Sequence, residues 1–366
     1  MGVADEADRR LHKGRGAVSN PAGRFESKQA RSWDDGWDLG EESLPALETT
    51  ITAEPAKSII SHNDSPDIGF DRSINPYKGC EHGCIYCYAR PSHGYLNLSA
   101  GLDFETKLFY KPNAAELLER EFRKPGYQPA LIALGANTDP YQPIERKLGI
   151  TRSILEVMAR FRHPVGIVTK GAALVERDLD LLTQLARDNL VGVGVTLTTL
   201  DPALKRTLEP RAASPASRLR LMRLLADAGI PVRVMFSPVI PFINDAELEQ
   251  VLEQAAAAGA SYASYTFLRL PHEVKDLFRE WLETHFPLKA THVMSLVEQS
   301  RGGKAYDSTF GRRMRGEGNF AELIAQRFRL ARRRHGLERP ARTFDLSAFR
   351  VPDAERTATA TQLGLF

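Results

Sequence analysis

From about residue 66 to residue 285 the sequence switches repeatedly between two periods. Short runs rich in β-branched residues, at 68–74, 130–136, 165–169, 191–197, 232–236 and 262–268, read as strands. Between and after them, 114–123, 145–161, 176–188, 216–228, 246–258 and 274–285 read as helices. Asn113 with Glu116, and Asn244 with Glu247, have the spacing of capping boxes, and Gly229 and Gly259 stand where helices should stop. Strictly alternating strands and helices predict a parallel sheet with right-handed crossovers. Counting six units leaves both a partial barrel and a doubly wound open sheet possible. The 366 residues, 42% of them hydrophobic, suffice for a sizeable core.

The chain has three cysteines, Cys80, Cys84 and Cys87, and all fall within eight residues. The C-x3-C-x2-C spacing, with Tyr86 just before the third cysteine, resembles the cluster loop of radical SAM enzymes. Three thiolates can hold three irons of a [4Fe–4S] cube and leave the fourth open. The resemblance implies that this iron takes the amino and carboxylate groups of S-adenosylmethionine, and that an electron from the cluster then releases a 5′-deoxyadenosyl radical. It also implies an α/β fold, the partial (β/α)6 TIM-type barrel. Other readings of the same residues are a structural zinc site completed by His82 or His93, and a redox pair of Cys84 and Cys87 that leaves Cys80 over. A disulfide staple also leaves one thiol over. His82 reads as a polar loop residue.

In such barrels the active site gathers at the C-terminal ends of the strands. Those ends carry the cysteine loop, then Gly135-Ala136-Asn137-Thr138-Asp139, Thr169-Lys170-Gly171, Thr196 with Thr198 and Thr199, Ser237-Pro238, and Arg269. The stretch from Ser73 to Arg90, with Thr138-Asp139, Thr169-Lys170, Glu209-Pro210-Arg211 and Arg218, resembles the spore photoproduct lyase-related branch of radical SAM proteins, over about residues 13–335. The resemblance implies that Tyr86 packs beside the adenine and that Lys170 meets the carboxylate of the cofactor. It implies that Gly135, Asn137 and Thr138 face its amino end, with Thr198 also at the cofactor. Arg211 is a catalytic candidate, although it and Arg218 read equally well as structural ion pairs. One departure matters: the lyases use a further cysteine to return hydrogen to the product, and here every cysteine lies in the cluster loop. The alternative donors are 5′-deoxyadenosine or a tyrosine such as Tyr88 or Tyr141.

The flanks predict four regions: a mostly disordered arm at 1–62, the radical SAM core at 63–300, a basic helical extension at 301–345, and a flexible tail at 346–366. Within the arm, Lys13-Gly14-Arg15-Gly16, Asn20-Pro21 and Arg24-Phe25 suggest either a nucleic-acid arm or a clip onto the barrel. Residues 301–342 hold twelve Lys or Arg against four Asp or Glu, a net +8 in a chain whose total is +3. That asymmetry is the footprint of a polyanion partner, here DNA, or else a solvated helix face. The final Gln362-Leu363-Gly364-Leu365-Phe366 resembles the peptide by which bacterial replication and repair proteins dock on the sliding clamp. Neither a membrane span nor a secretory signal is seen, and the cytoplasm is expected. The expected activity is radical chemistry on DNA, with a flavodoxin- or ferredoxin-like reductant. RNA, protein or small-molecule substrates and a DNA-tethered redox sensor are the alternatives.

Overall fold

A computed structural model describes residues 9–25, 47–339 and 343–352. The strands are β1 (Thr50–Ala53), β2 (Ile60–His62), β3 (Arg72–Ile74), β4 (Tyr77–Lys78), β5 (Lys107–Tyr110), β6 (Ile132–Leu134), β7 (Val165–Thr169), β8 (Val191–Thr196), β9 (Val232–Val239) and β10 (Tyr262–Phe267). The helices are α1 (Leu102–Thr106), α2 (Ala114–Phe122), α3 (Glu145–Leu148), α4 (Ile150–Phe161), α5 (Ala173–Arg177), α6 (Leu179–Arg187), α7 (Pro202–Leu208), α8 (Pro215–Asp227), α9 (Leu248–Ala257), α10 (Val274–His285), α11 (Pro287–Gln299) and α12 (Gly318–Arg334).

One seven-stranded sheet runs β10-β9-β8-β7-β6-β3-β2. Its six strands from β3 to β10 are mutually parallel and lie in chain order, and β2 adds an antiparallel edge on β3. Chain order without reversal is the topology of a partial barrel, and it rules out the doubly wound alternative, whose strand order turns back on itself. The strand β8, Val-Gly-Val-Gly-Val-Thr, shows why one face differs from the other. Val191, Val193 and Val195 are buried in the main apolar cluster with Leu221, Met222 and Leu225 of α8. A side chain at Gly194 would instead meet Met235 Sδ and Val168 Cγ2, so the glycine leaves room for those two side chains on the other face. Each Val or Leu fully buried between sheet and helices contributes roughly 1.5–3 kcal/mol.

Two expected helices are broken. Gly149, with φ +65°, separates α3 from α4. Buried Asp178, which accepts Arg152 and Arg177, separates α5 from α6. Gly229 and Gly259 follow α8 and α9 in the left-handed conformation, as capping chemistry requires. The asparagine side chains of the two capping boxes are used elsewhere. Asn113 brackets both polar atoms of the Ala56 backbone, and buried Asn244 bonds Ile240 N, Thr198 O and Pro238 O.

A second sheet, β1-β5-β4, carries the cysteine loop, which leaves β4 and returns through α1 to β5. Within the span expected as a mostly disordered arm, residues 47–62 contain β1 and β2, and residues 9–25 lie against the core. Among the described residues no helix is long and apolar enough to cross a membrane.

Candidate active site

The cysteine loop is a chain of tight turns pinned by its surroundings. Gly83 N donates to Cys80 O and Cys87 N to Cys84 O, while Cys80 N is held by Phe104 O and Ile85 N by Leu208 O. Gly83 has φ +67°, and a side chain there would meet the Glu105 carboxylate at 2.8 Å, so only glycine fits. Thr138 Oγ1 donates to Gly79 O at 2.7 Å, and Gln142 Nε2 reaches both. The second strand's end thus braces the start of the loop. Tyr86, Lys170, Thr198 and Glu209 surround its end.

Cys80 and Cys84 are buried, Cys87 is half-buried, and all three are free. Burial pushes the Cys84 thiol up to about 12, with Lys170 partly opposing it. Burial, then Asp139 and the neighbouring cysteines, push Cys80 up as well. Two buried thiols with raised pKa beside a third cysteine form a donor set suited to a cationic group that neutralises thiolates. Among the described residues no three His, Cys, Asp or Glu side chains converge on one metal ion, the arrangement a structural zinc needs. A cube, held by thiolates on separate irons, needs no such convergence.

Around the loop stands a buried charge network that the sequence only partly revealed. Glu209, fully buried, accepts the hydroxyls of Tyr86 and Thr198 and the guanidinium of Arg218. Burial works to raise its pKa, but Arg218, Lys170 and these donors hold it down at about 2. The Lys170 ammonium sits 5.6 Å from the Tyr86 ring centre. Burial works to lower its pKa, and Cys84 and Glu209 outweigh that and keep it raised. Asp139 accepts Lys170 N and Thr169 Oγ1, both at 2.7 Å, and lies 3.2 Å from His82 Nδ1. Burial opposes its ionisation, yet His82 and these donors bring it to about 2. His82 is thus a polar loop residue, but a buried one that lies against Asp139. Glu209 and Asp139 had appeared only as letters within motifs, because a central carboxylate has no spacing signature.

The other candidates separate into groups. Gly135, with φ +97°, approaches Val168 O so closely that a side chain would sit 2.6 Å from it. Asn137 is exposed and its N–H donates to Asn75 Oδ1 at 2.7 Å. Tyr88 is 49% exposed at the mouth of the site. Its hydroxyl donates to Ala136 O, and the Arg269 guanidinium lies 5.2 Å over its ring. Arg211 pairs with Glu81 at 2.8 Å and Arg218 with Glu209, the structural alternative named for both. Tyr141 is buried, and its hydroxyl faces Asp178 and Glu145 without an aligned partner. It is not brought together with the cysteines, whereas Tyr88 is.

The basic segment is largely committed to the fold. Arg301 is buried on Phe267 O and Leu268 O. Arg312 pairs with Glu317, Arg313 with Asp67 and Arg327 with Glu249. Arg315 and Arg332 lie over Tyr265 and Tyr262. Lys304, Arg329, Arg333, Arg334 and Arg339 are exposed outside these pairs. The tail peptide, Gln362 to Phe366, lies outside the described residues, as does Arg342.

Residues 74–255 match the family model of the radical SAM superfamily. An uncharacterised protein of Mycobacterium tuberculosis is 35% identical over 299 residues, 81% of this chain and 82% of the relative. Another, of Methanocaldococcus jannaschii, is 29% identical over 214 residues, 58% of this chain and 76% of the relative. Among solved structures, a mutant of spore photoproduct lyase matches with a TM-score of 0.58 at 15% identity, covering 85% of this chain and 86% of that one. The lyase complexed with a dinucleoside spore photoproduct matches with a TM-score of 0.56, covering 78% and 79%. With its cysteine loop at the C-terminal mouth of a six-strand parallel sheet, the chain belongs to the radical SAM superfamily and has the fold of spore photoproduct lyase.

Proposed function

We propose that this protein is a radical SAM enzyme acting on DNA, in which Cys80, Cys84 and Cys87 hold a [4Fe–4S] cluster. The observation that carries this reading is the gathering of every cysteine of the chain in one loop beside Tyr86, Lys170 and Glu209. When bound and reduced by a flavodoxin- or ferredoxin-like donor, the cluster supplies the electron that cleaves S-adenosylmethionine to a 5′-deoxyadenosyl radical. The chain's own part is to position and exclude. Lys170, a compact cation kept protonated by Glu209, takes the cofactor carboxylate. Tyr86, fixed by Glu209 and Thr198, offers its ring to the adenine. The backbone from Gly135 to Thr138 takes the amino end.

A DNA substrate is supported by the named ligand of the lyase that shares the fold, and by the exposed Tyr88 with Arg269 above it at the mouth. With no fourth cysteine, Tyr88 is the proposed hydrogen donor to the substrate radical. The tail residues Gln362, Leu363, Leu365 and Phe366 are proposed to recruit the sliding clamp in the bacterial cytoplasm, as a short apolar peptide on a tether can.

Anaerobic reconstitution tests the core of this reading. About four irons per chain are expected, with 5′-deoxyadenosine formed on reduction with S-adenosylmethionine and lost in Cys80→Ala, Cys84→Ala and Cys87→Ala. Mass spectrometry of damaged and intact DNA after incubation then tests the substrate. One bound zinc and no 5′-deoxyadenosine in the wild type would refute the cluster. Altered RNA or peptide with unaltered DNA would move the chemistry to another substrate.

A further inference from the structure

The N-terminal segment contains a short run buried more deeply than its composition suggests. Ala17, Val18 and Ser19 are 1–3% exposed, although Leu11, Lys13 and Asn20 around them are exposed. Gly16 N and Ala17 N each donate, at 2.9 Å, to one oxygen of Glu105. Arg15 reaches over the same turn to Glu105 O at 2.9 Å and Leu47 O at 2.8 Å. Glu105, fully buried, also pairs with Arg90 at 2.5 Å. Arg90, equally buried, donates to Cys84 O at 2.9 Å, Gly83 O at 3.2 Å, and Ala100 O and Gly101 O at 3.0 Å. One carboxylate and one guanidinium therefore tie the arm to α1 and to the two carbonyls between the first and third cysteines.

The fit leaves no slack. A side chain on Gly16 would collide with Gly83 O. Ala17 shares an apolar cluster with Cys84, Ile85 and Tyr86. A buried ion pair is tolerated only when its remaining lone pairs and protons are satisfied. Were the arm to lift, Glu105 would lose two of its donors at a site without solvent. Water would then have to replace those donors, and it would reach Arg90 and the loop carbonyls that Arg90 holds. The arm thus completes the hydrogen bonding of the carboxylate that holds Arg90 on the loop.

We infer that residues 15–19 are a clasp that keeps the cysteine loop closed and Cys80 and Cys84 shielded, with Arg90 and Glu105 as the residues that position the loop. Its consequence for metal retention rests on the cluster reading above; its consequence for the thiols does not. The test uses the full chain with Gly16→Ala, Glu105→Gln and, as a control, Gly69→Ala, whose added carbon meets nothing within 4 Å. In the metal-free protein, iodoacetamide should modify Cys80 and Cys84 of Gly16→Ala and Glu105→Gln at least about tenfold faster than those of the wild type, the factor expected from losing hydrogen bonds to a charged group. In the reconstituted protein, a ferrous chelator should withdraw iron faster by a similar factor. Gly69→Ala should match the wild type in both assays. Circular dichroism confirms the fold of each variant, and should Gly16→Ala fail to fold, the near-isosteric Glu105→Gln decides. Thiol reactivity and iron release unchanged from wild type would overturn the clasp. A wild type that takes up no iron, together with thiols that become reactive only in the two variants, would refute the cluster and uphold the clasp.

Discussion

Glu209 is the residue on which Tyr86, Thr198 and Arg218 meet, and its ionisation is a stability term as well as a site property. Its folded pKa, about 2, lies below the ordinary 4.5. A depressed carboxylate contributes stability that is fully present above the unfolded value and is lost as pH falls through the folded one. The wild type should therefore lose this contribution between about pH 4.5 and pH 2. In Glu209→Gln that part of the acid limb should be flatter. At neutral pH the variant should be less stable by roughly 3–5 kcal/mol, because Arg218 is left buried without its partner. Urea titrations at neutral and acid pH measure both effects. Equal slopes in variant and wild type would show that Glu209 is not ionised in the fold. Asp139, paired with His82, adds to the same acid limb.

Among elements, α12 changes the reading of the basic segment. It packs on α9 and β10, and the chain beyond it pairs with the first residues of β10, through Glu338 with Tyr262 and Leu337 O with Ala263 N. The arginines of its last turn therefore sit at the N-terminal ends of the strands, opposite the cysteine loop. DNA steered by Arg333 and Arg334 would pass the far end of the barrel, away from the mouth at Tyr88 and Arg269. Arg333→Ala with Arg334→Ala should lower the salt dependence of DNA binding by roughly 0.9 in log-log slope for each phosphate contact removed. Cleavage of S-adenosylmethionine should stay at the wild-type rate. An unchanged slope in a filter-binding titration would identify these arginines as a solvated helix face.

At the scale of the molecule, the parallel sheet has two edges, β10 and β2, with residues 306–315 spanning the gap between them. Met314 O accepts Phe267 N at the end of β10 at 2.9 Å. On the other side Gly311 N and Arg313 bond Asp67, in the turn between β2 and β3, at 2.6 and 2.5 Å. Tyr306 and Met314 also contact Arg269 beside Tyr88. This strap borders the mouth and is held at one end by the Asp67 carboxylate together with the Ser65 hydroxyl. Asp67→Ala should raise hydrogen exchange across 306–315 while β7 and β8 keep wild-type protection. Exchange confined to residue 311 would show that the strap is held by other contacts.

The six parallel strands and the helices after them were legible because burial repeats: period two and period 3.6 are local consequences of having one face inside. The cysteine loop was legible because its chemistry needs three thiols at short spacing. Gly229 and Gly259 were legible because a left-handed residue after a helix favours glycine wherever it occurs. Tertiary structure decided the rest. Strand β1 is exposed along its whole length, β4 has only two residues and β5 is unevenly buried, so none of them shows an apolar period. Asn113 and Asn244 carry capping letters, but their side chains found backbone partners across the fold. The charge of 301–342 resembles a DNA footprint, but which of its arginines are free was not legible: distant Asp67 and Glu249 take Arg313 and Arg327. Glu105 and Arg90 stand 15 residues apart, with Gly16 a further 74 before Arg90. Their meeting in one buried knot depends on where the chain returns in space, which no local pattern of residues encodes.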